Sequence, residues 1–270
     1  MRNTISVMLI IYNEEKMIKR CLESLKDCVD EIIIIHDGPC KDESLEIAKK
    51  YTDKIIVGSR KGLSDYHYID AINKCTGDWI FKIDADEYLS EGIRDNLREM
   101  VKTEEYDCYS FIWPLWNGKR YLTSKWPIKK ALFRKNKISF MEMPHINFVP
   151  LGKTKETDYM LGHRPDYNNF SFSTLKSKHK KWVDIHAKLF LKKTDEIRTY
   201  NKLPEYKLRW VRLRFKYPIT LLLFPIKDIL FDIFRFRFLD IGGFLSWHIS
   251  RTCYYCMLYN KVRKLRKHKQ

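Results

Sequence analysis

Trp79-Ile-Phe-Lys-Ile-Asp-Ala-Asp-Glu87 is a short apolar run that leads straight into two carboxylates, Asp84 and Asp86. Its aromatic and β-branched residues predict a strand over 79–83. Side chains two apart on an extended segment point the same way, so both carboxylates are expected to reach one cation. Hard oxygen ligands suit Mg²⁺ or Mn²⁺, which bind protein through one or two carboxylates and otherwise hold phosphate oxygens. Alone the motif is weak, since about one Asp-x-Asp arises by chance in a chain with this much aspartate. Its surroundings give it weight.

Working outward, residues 4–11 form a continuous apolar run, as expected of a strand buried on both faces. Met17, Ile18, Cys21, Leu22 and Leu25 have the spacing of an amphipathic helix over 14–25. A second buried strand is predicted over 31–35, followed by the turn Asp37-Gly38-Pro39. Next come a helix over 44–51, a strand over 54–57 and a helix over 66–74 that Gly77 ends. Such alternation predicts an α/β fold: right-handed βαβ units and a mostly parallel sheet flanked by helices. Ligands of these sheets bind beyond the carboxyl ends of the strands. Tyr12-Asn13-Glu14, Asp37 and Asp84-Ala85-Asp86 all fall there.

Each position has a chemical use and a plainer one. Tyr12 can stack on a base, while Asn13 and Glu14 can simply cap the next helix. Asp37 can accept a base N–H or serve the turn at Gly38. Glu87 can orient a metal shell, accept a sugar hydroxyl, or be merely solvated. Neither glycine-rich phosphate loop pattern occurs. Diphosphate charge therefore falls to metal and to basic side chains, with Arg60 and Lys61 just past the third strand. Residues 106–150 are rich in aromatics. Trp116 and Trp126, flanked by polar and turn residues, are candidate walls for an acceptor sugar, although packing explains such residues equally well.

The stretches Ile5-Ser-Val-Met-Leu-Ile-Ile-Tyr-Asn-Glu-Glu15, Ile32-Ile-Ile-Ile-His-Asp-Gly38 and Thr76-Gly-Asp-Trp-Ile-Phe-Lys-Ile-Asp-Ala-Asp-Glu87 resemble, in order and spacing, family 2 glycosyltransferases of the GT-A (Rossmann-like) fold. A looser similarity to the branch of lipopolysaccharide core β-glucosyltransferases runs through Ala131–Lys137, Pro144-His145, Leu161-Gly-His163 and Phe236–Phe244. The resemblance implies inverting transfer of a sugar from a nucleotide-diphosphate donor, with UDP the expected nucleotide. It also implies that Tyr12, Glu14 and Asp37 hold the nucleoside while Asp84 and Asp86 belong to the metal–diphosphate motif. An inverting displacement needs a base to take the acceptor proton. The related branch shows His-Glu where this chain has His145-Ile146, so Glu142 and His145 are the candidates. Two further departures are His67-Tyr68-Ile69, where relatives carry an Arg-Asn pair, and a turn over 37–42 one residue longer than usual.

Across 270 residues, 51 Lys/Arg against 34 Asp/Glu give a net charge of +17. The imbalance is local: residues 176–270 hold 24 basic and 7 acidic residues, leaving 27 of each for the rest. Such a segment seeks a polyanion. No nucleic-acid-binding motif accompanies it, and its aromatic and aliphatic content favours helices lying on an anionic membrane surface. The plainer alternative is a helical pair packed on the catalytic domain. The expected division is a catalytic domain over 1–200 and a basic, membrane-associating extension over 201–270. Seven scattered cysteines and a start without signal-peptide character fit a cytoplasmic chain bound peripherally to the inner face of the membrane. The expected partners are a nucleotide-sugar and a lipid-linked or lipopolysaccharide-type glycan acceptor. Rival readings are a non-catalytic membrane adaptor on the same fold, a sugar nucleotidyltransferase, and a basic RNA-binding protein.

Overall fold

The computed structural model of the chain describes residues 3–144 and 147–267. Its contacts divide the chain into two compact units, one holding residues to Pro114, Ser124–Asp166 and Thr199–Lys202. In this first unit β1 (Ile5–Ile11), β2 (Glu31–Asp37), β3 (Ile55–Gly58) and β4 (Trp79–Ile83) alternate with α1 (Glu15–Leu25), α2 (Ser44–Ala48) and α3 (Tyr68–Lys74). There follow β5 (Glu87–Leu89), α4 (Glu91–Lys102), β6 (Cys108–Ile112), β7 (Ile128–Arg134), β8 (Ile138–Met141), β9 (Val149–Pro150), β10 (Thr154–His163) and, far along the chain, β11 (Thr199–Tyr200).

The main sheet runs β3-β2-β1-β4-β7-β6-β10-β5. Its first four strands are parallel, β7 is antiparallel to both neighbours, β10 runs parallel to β6, and β5 runs antiparallel to β10. A small antiparallel sheet, β11-β8-β9, completes the unit.

All seven residues of β1 are buried because helices cover both of its faces. Val7, Leu9 and Ile11 pack with Ile18 and Leu22 of α1 and with Leu97 of α4. Met8 and Ile10 point the other way, toward Ile69 and Ile72 of α3 and the aromatics Phe133 and Phe148. This is why the strand reads as an unbroken apolar run rather than an alternating one. Gly77 ends the segment before β4 for a steric reason, since a Cβ there would lie 2.8 Å from the backbone nitrogen of Ser6. The helix predicted from residue 66 begins at Tyr68, after a single 3-10 turn at Ser64–Tyr66.

The second unit contains Leu115–Thr123, Tyr167–Arg198 and the chain from Leu203. Its helices are α5 (Phe172–Leu189), α6 (Glu205–Lys216), α7 (Leu223–Phe234) and α8 (Ile241–Lys267). It thus takes in α5, which the division at residue 200 had assigned to the catalytic domain. The reason is polar contact with α8: His186 Nδ1 lies 2.8 Å from the Tyr254 hydroxyl, and Lys261 Nζ pairs with Asp184 at 2.7 Å. Cys21, Cys28, Cys75 and Cys108 are buried free thiols, whereas Cys253 and Cys256 are exposed on α8.

Phe81 of β4 is fully buried and stacks on Phe111 of β6, with ring centroids 5.6 Å apart. Phe81→Ala should cost about 3–5 kcal/mol, read as an earlier urea midpoint by tryptophan fluorescence. A loss under about 1 kcal/mol would mean that the sheet does not pack as described.

Candidate active site

The chain leaves β4 through a tight turn, closed by the Glu87 N–H donating to the Asp84 carbonyl at 2.9 Å. Asp84 and Asp86 therefore sit on a turn rather than on the extended segment expected from sequence, and they face different partners. Lys82 and Lys129 both donate to Asp84 Oδ2, at 2.7 and 2.8 Å. Asp86 Oδ2 lies 3.3 Å from His163 Nε2. Burial would raise the Asp84 carboxyl, but Lys129 and Lys82 outweigh it and hold it well below the usual carboxylate range. Asp86 is likewise lowered, burial being outweighed by His163.

Glu87 is the pivot of this turn. Its carboxylate accepts from Asp84 N at 2.9 Å, from Trp113 Nε1 at 2.5 Å and from Lys129 Nζ at 2.5 Å. Burial pushes its carboxyl up against the pull of Lys129. Glu87 is 0% exposed and its carboxylate is directed at these three donors of its own chain. Trp113 stacks on His163 with centroids 3.9 Å apart, and His163 pairs with Glu87 across β10 and β5. Lys82, Lys129, Trp113 and His163 were missed from sequence. Lys82, two residues before Asp84, and His163, in the Leu161-Gly-His163 stretch, carried a signal.

Among the described residues, no group of three or more His, Cys, Asp or Glu could hold a metal by itself. Asp84 and Asp86 are partly exposed hard-oxygen donors. They suit an ion held chiefly by a donor's phosphates and supported by one or two carboxylates, as Mg²⁺ commonly is.

At the end of β2, Asp37 gathers the loop after β3. Its Oδ1 accepts from Lys61 N at 2.6 Å and lies 2.8 Å from His67 Nε2. Its Oδ2 accepts from Gly62 N at 2.9 Å and from the Arg60 guanidinium. A carboxylate has about four lone-pair sites, so the group expected to meet a base N–H is taken up by its own chain. Burial opposes its ionised form, but His67, the two backbone N–H groups and Arg60 keep the carboxyl low. Gly38, at φ +100°, is required beside it, since a Cβ would lie 2.9 Å from Arg60 Cβ.

Asp37 thereby fixes Arg60, whose guanidinium carbon stands 3.3 Å from the centre of the Tyr12 ring. Lys61 is tied down, its ammonium donating to the Tyr66 carbonyl at 2.6 Å and to Asp70 at 3.2 Å. Glu14 immediately precedes α1, its N–H donating to Ser44 Oγ at 2.6 Å and its carbonyl accepting from Met17 and Ile18.

Glu142 follows β8, half-buried, and its charge is one of the influences that, after burial, push the Tyr66 phenol up to about 12. His145 lies outside the described residues. Trp126 is 3% exposed in the first unit, and Trp116 is 9% exposed in the second, edge-on to Tyr121. Both side chains are buried, so neither presents an open face.

Residues 6–152 match the sequence profile of the family described as Glycosyl transferase family 2, and that span is more than half of the chain. The chain belongs to glycosyl transferase family 2. It is similar to an uncharacterized glycosyltransferase of Rickettsia typhi, 34% identical over 105 residues, which are 39% of this chain and 35% of that one. It is also similar to the lipopolysaccharide core biosynthesis glycosyltransferase LpsC of Rhizobium meliloti, 28% identical over 106 residues, 37% and 38% of the two chains. The chain thus spans little more than a third of the length of these relatives. Among solved structures, glucosyl-3-phosphoglycerate synthase of Mycobacterium tuberculosis, in complex with Mg²⁺ and uridine diphosphate, matches at 16% identity and a TM-score of 0.46, covering 70% of this chain and 78% of that one. The family carries the GT-A fold, and its α/β core is the sheet described above.

Asp37→Asn should destabilise the chain by about 3 kcal/mol, because it removes the charge from a buried, paired site. The folded Asp37 carboxyl releases its proton more readily than the unfolded one, so its contribution is complete above about pH 4 and fades below that. The gap in Tm between wild type and variant should therefore narrow from pH 6 toward pH 2.5. A gap that stays constant would remove Asp37 from the ionic clamp.

Proposed function

We propose that this chain is an inverting glycosyltransferase that moves a sugar from a nucleotide-diphosphate donor, a UDP-sugar, to a membrane-linked glycan or lipopolysaccharide-type acceptor. The observation that carries the reading is convergence at the carboxyl ends of β1, β2 and β4. The Tyr12–Arg60 stack, the loop held by Asp37 and the Asp84–Glu87 turn stand at neighbouring strand ends. In an open α/β sheet that edge is the ligand crevice.

The roles follow from the groups. Tyr12 offers a ring for the base, and the guanidinium already stacked on it is a planar stand-in that donor entry would turn toward the diphosphate. Glu14 lies beside it at the start of α1, and Lys61, on the loop that Asp37 holds, adds positive charge. Asp84 and Asp86 would hold Mn²⁺ or Mg²⁺, which when bound neutralises the leaving diphosphate as a Lewis acid. Lys82 and Lys129 hold Asp84 in place and add fixed positive charge where the leaving group becomes negative. Glu142 is the base proposed for the acceptor hydroxyl, with His145 its rival. The acceptor class is supported by similarity to LpsC and by the basic second unit.

Calorimetry with UDP, GDP and CMP, with and without Mn²⁺, tests the donor site. One nucleotide should bind in a metal-dependent way, and Asp84→Asn/Asp86→Asn should weaken it at least tenfold, about 1.4 kcal/mol. No binding of any nucleotide would sink the transferase reading. Binding without sugar transfer would leave the adaptor reading in its place. Lys129→Met should weaken nucleotide binding and lower stability by about 3 kcal/mol, since it takes the ammonium away from buried Glu87 and leaves Asp84 with Lys82. Unchanged binding would deny Lys129 its part.

A further inference from the structure

The burial pattern of α7 is inverted. Leu223, Ile226, Leu230, Phe231, Ile233 and Phe234 are exposed, Phe234 at 82%, while Asp232 is buried at 4%. At 100° per residue the six apolar side chains span an arc of about 160°, and Pro225, Asp228 and Asp232 fall within about 60° on the opposite side. Lys227 is the one charge within the apolar arc, and its long stem lets the ammonium reach away from that surface.

The inward side is ionic. Asp232 accepts from Arg237 at 2.6 Å and lies 3.1 Å from His248 Nε2 of α8. Asp228 takes two bonds from Arg251 of α8, at 2.9 and 2.5 Å. The apolar exposure continues around the connection, interrupted by the exposed Arg235, whose guanidinium carbon stands 4.7 Å from the centre of the Phe231 ring. Phe236, Leu239 and Ile241 are exposed at 67%, 74% and 67%, and Leu245 and Ile249 extend the stripe along α8. Residues 241–250 carry no Lys, Arg, Asp or Glu.

Apolar side chains outward with paired charges inward is the arrangement of protein surrounded by lipid, where ionisable groups face a partner helix. We propose that α7 and the first half of α8 form a hairpin that dips into one leaflet of an anionic bilayer. A twelve-residue helix is about 18 Å long, close to half of a hydrocarbon core about 30 Å thick. No helix among the described residues is long and apolar enough to cross a membrane. Charge decides between lipid and a second copy of the chain. Residues 176–270 carry a net +17, which repels a like surface and attracts lipid phosphates. Along α6 and at the residue that follows it, Tyr206, Trp210 and Tyr217 are exposed among Lys207, Arg209, Arg212 and Lys216, the composition of a headgroup layer.

This deepens the membrane part of the function proposed above. Its test contains neither donor nor acceptor, so its failure would leave the transfer reading standing. The full chain is floated with vesicles of phosphatidylcholine, alone and with a minority of phosphatidylglycerol, at low and high salt. Binding to the anionic vesicles should persist in part at high salt. Phe234→Ser/Leu239→Ser/Ile241→Ser, all at exposed positions and checked for an unchanged melting curve, should bind about tenfold more weakly and lose all its high-salt binding. Three outcomes overturn the proposal: no vesicle binding by the wild type, binding that salt abolishes and the substitutions do not touch, or a lipid-free dimer that the substitutions dissociate.

Discussion

Lys129 is the residue on which the candidate site depends. It comes from β7, antiparallel to β4, and one ammonium serves both Asp84 and the fully buried Glu87. A buried carboxylate without such a partner is costly enough to move its proton or its backbone. That pairing offsets the burial of Glu87, whose carboxylate also holds Asp84 N in the turn and takes the Trp113 indole N–H. The acidic motif at the end of β4 is thus half of a mixed-charge cluster whose other half comes from Lys82 of the same strand and from Lys129 and His163 of β7 and β10.

Asp37 works by the same rule at the next strand but one. Its carboxylate takes four donors from residues 60–67 and thereby sets Arg60 on Tyr12. The two clusters differ in sign of purpose. At Asp84 the protein gathers positive charge around an oxygen, whereas at Asp37 it uses a carboxylate to aim a guanidinium.

The first ninety residues were legible because their information is local. Doubly buried strands read as apolar runs, helices read by period, and βαβ units leave one topology. What the sequence could not display was pairing across long separations. Lys129 lies 42 residues from Glu87, Trp113 lies 26, and His163 reaches Asp86 from β10. The same blindness made Asp84 and Asp86 look extended and made Glu87, Trp116 and Trp126 look available, since polar neighbours in sequence say little about burial. Composition did mark the basic tail, but the inversion of α7 appears only when Asp228 and Asp232 are seen facing α8.

The distribution of thiols has a practical consequence for handling the molecule. Cys21 sits beneath the Asp84 turn, its sulfur 3.6 Å from that carbonyl, and burial pushes its thiol well above the usual range. It is a poor nucleophile and a poor target for oxidants. Cys253 and Cys256, three residues apart on α8, are open to both. Alkylating reagents will therefore mark α8 first, ahead of the half-buried Cys40 and the buried thiols of the sheet, and air oxidation will join molecules through α8. A covalent pair seen on a non-reducing gel reports that sulfur chemistry, and says nothing of how the chains associate.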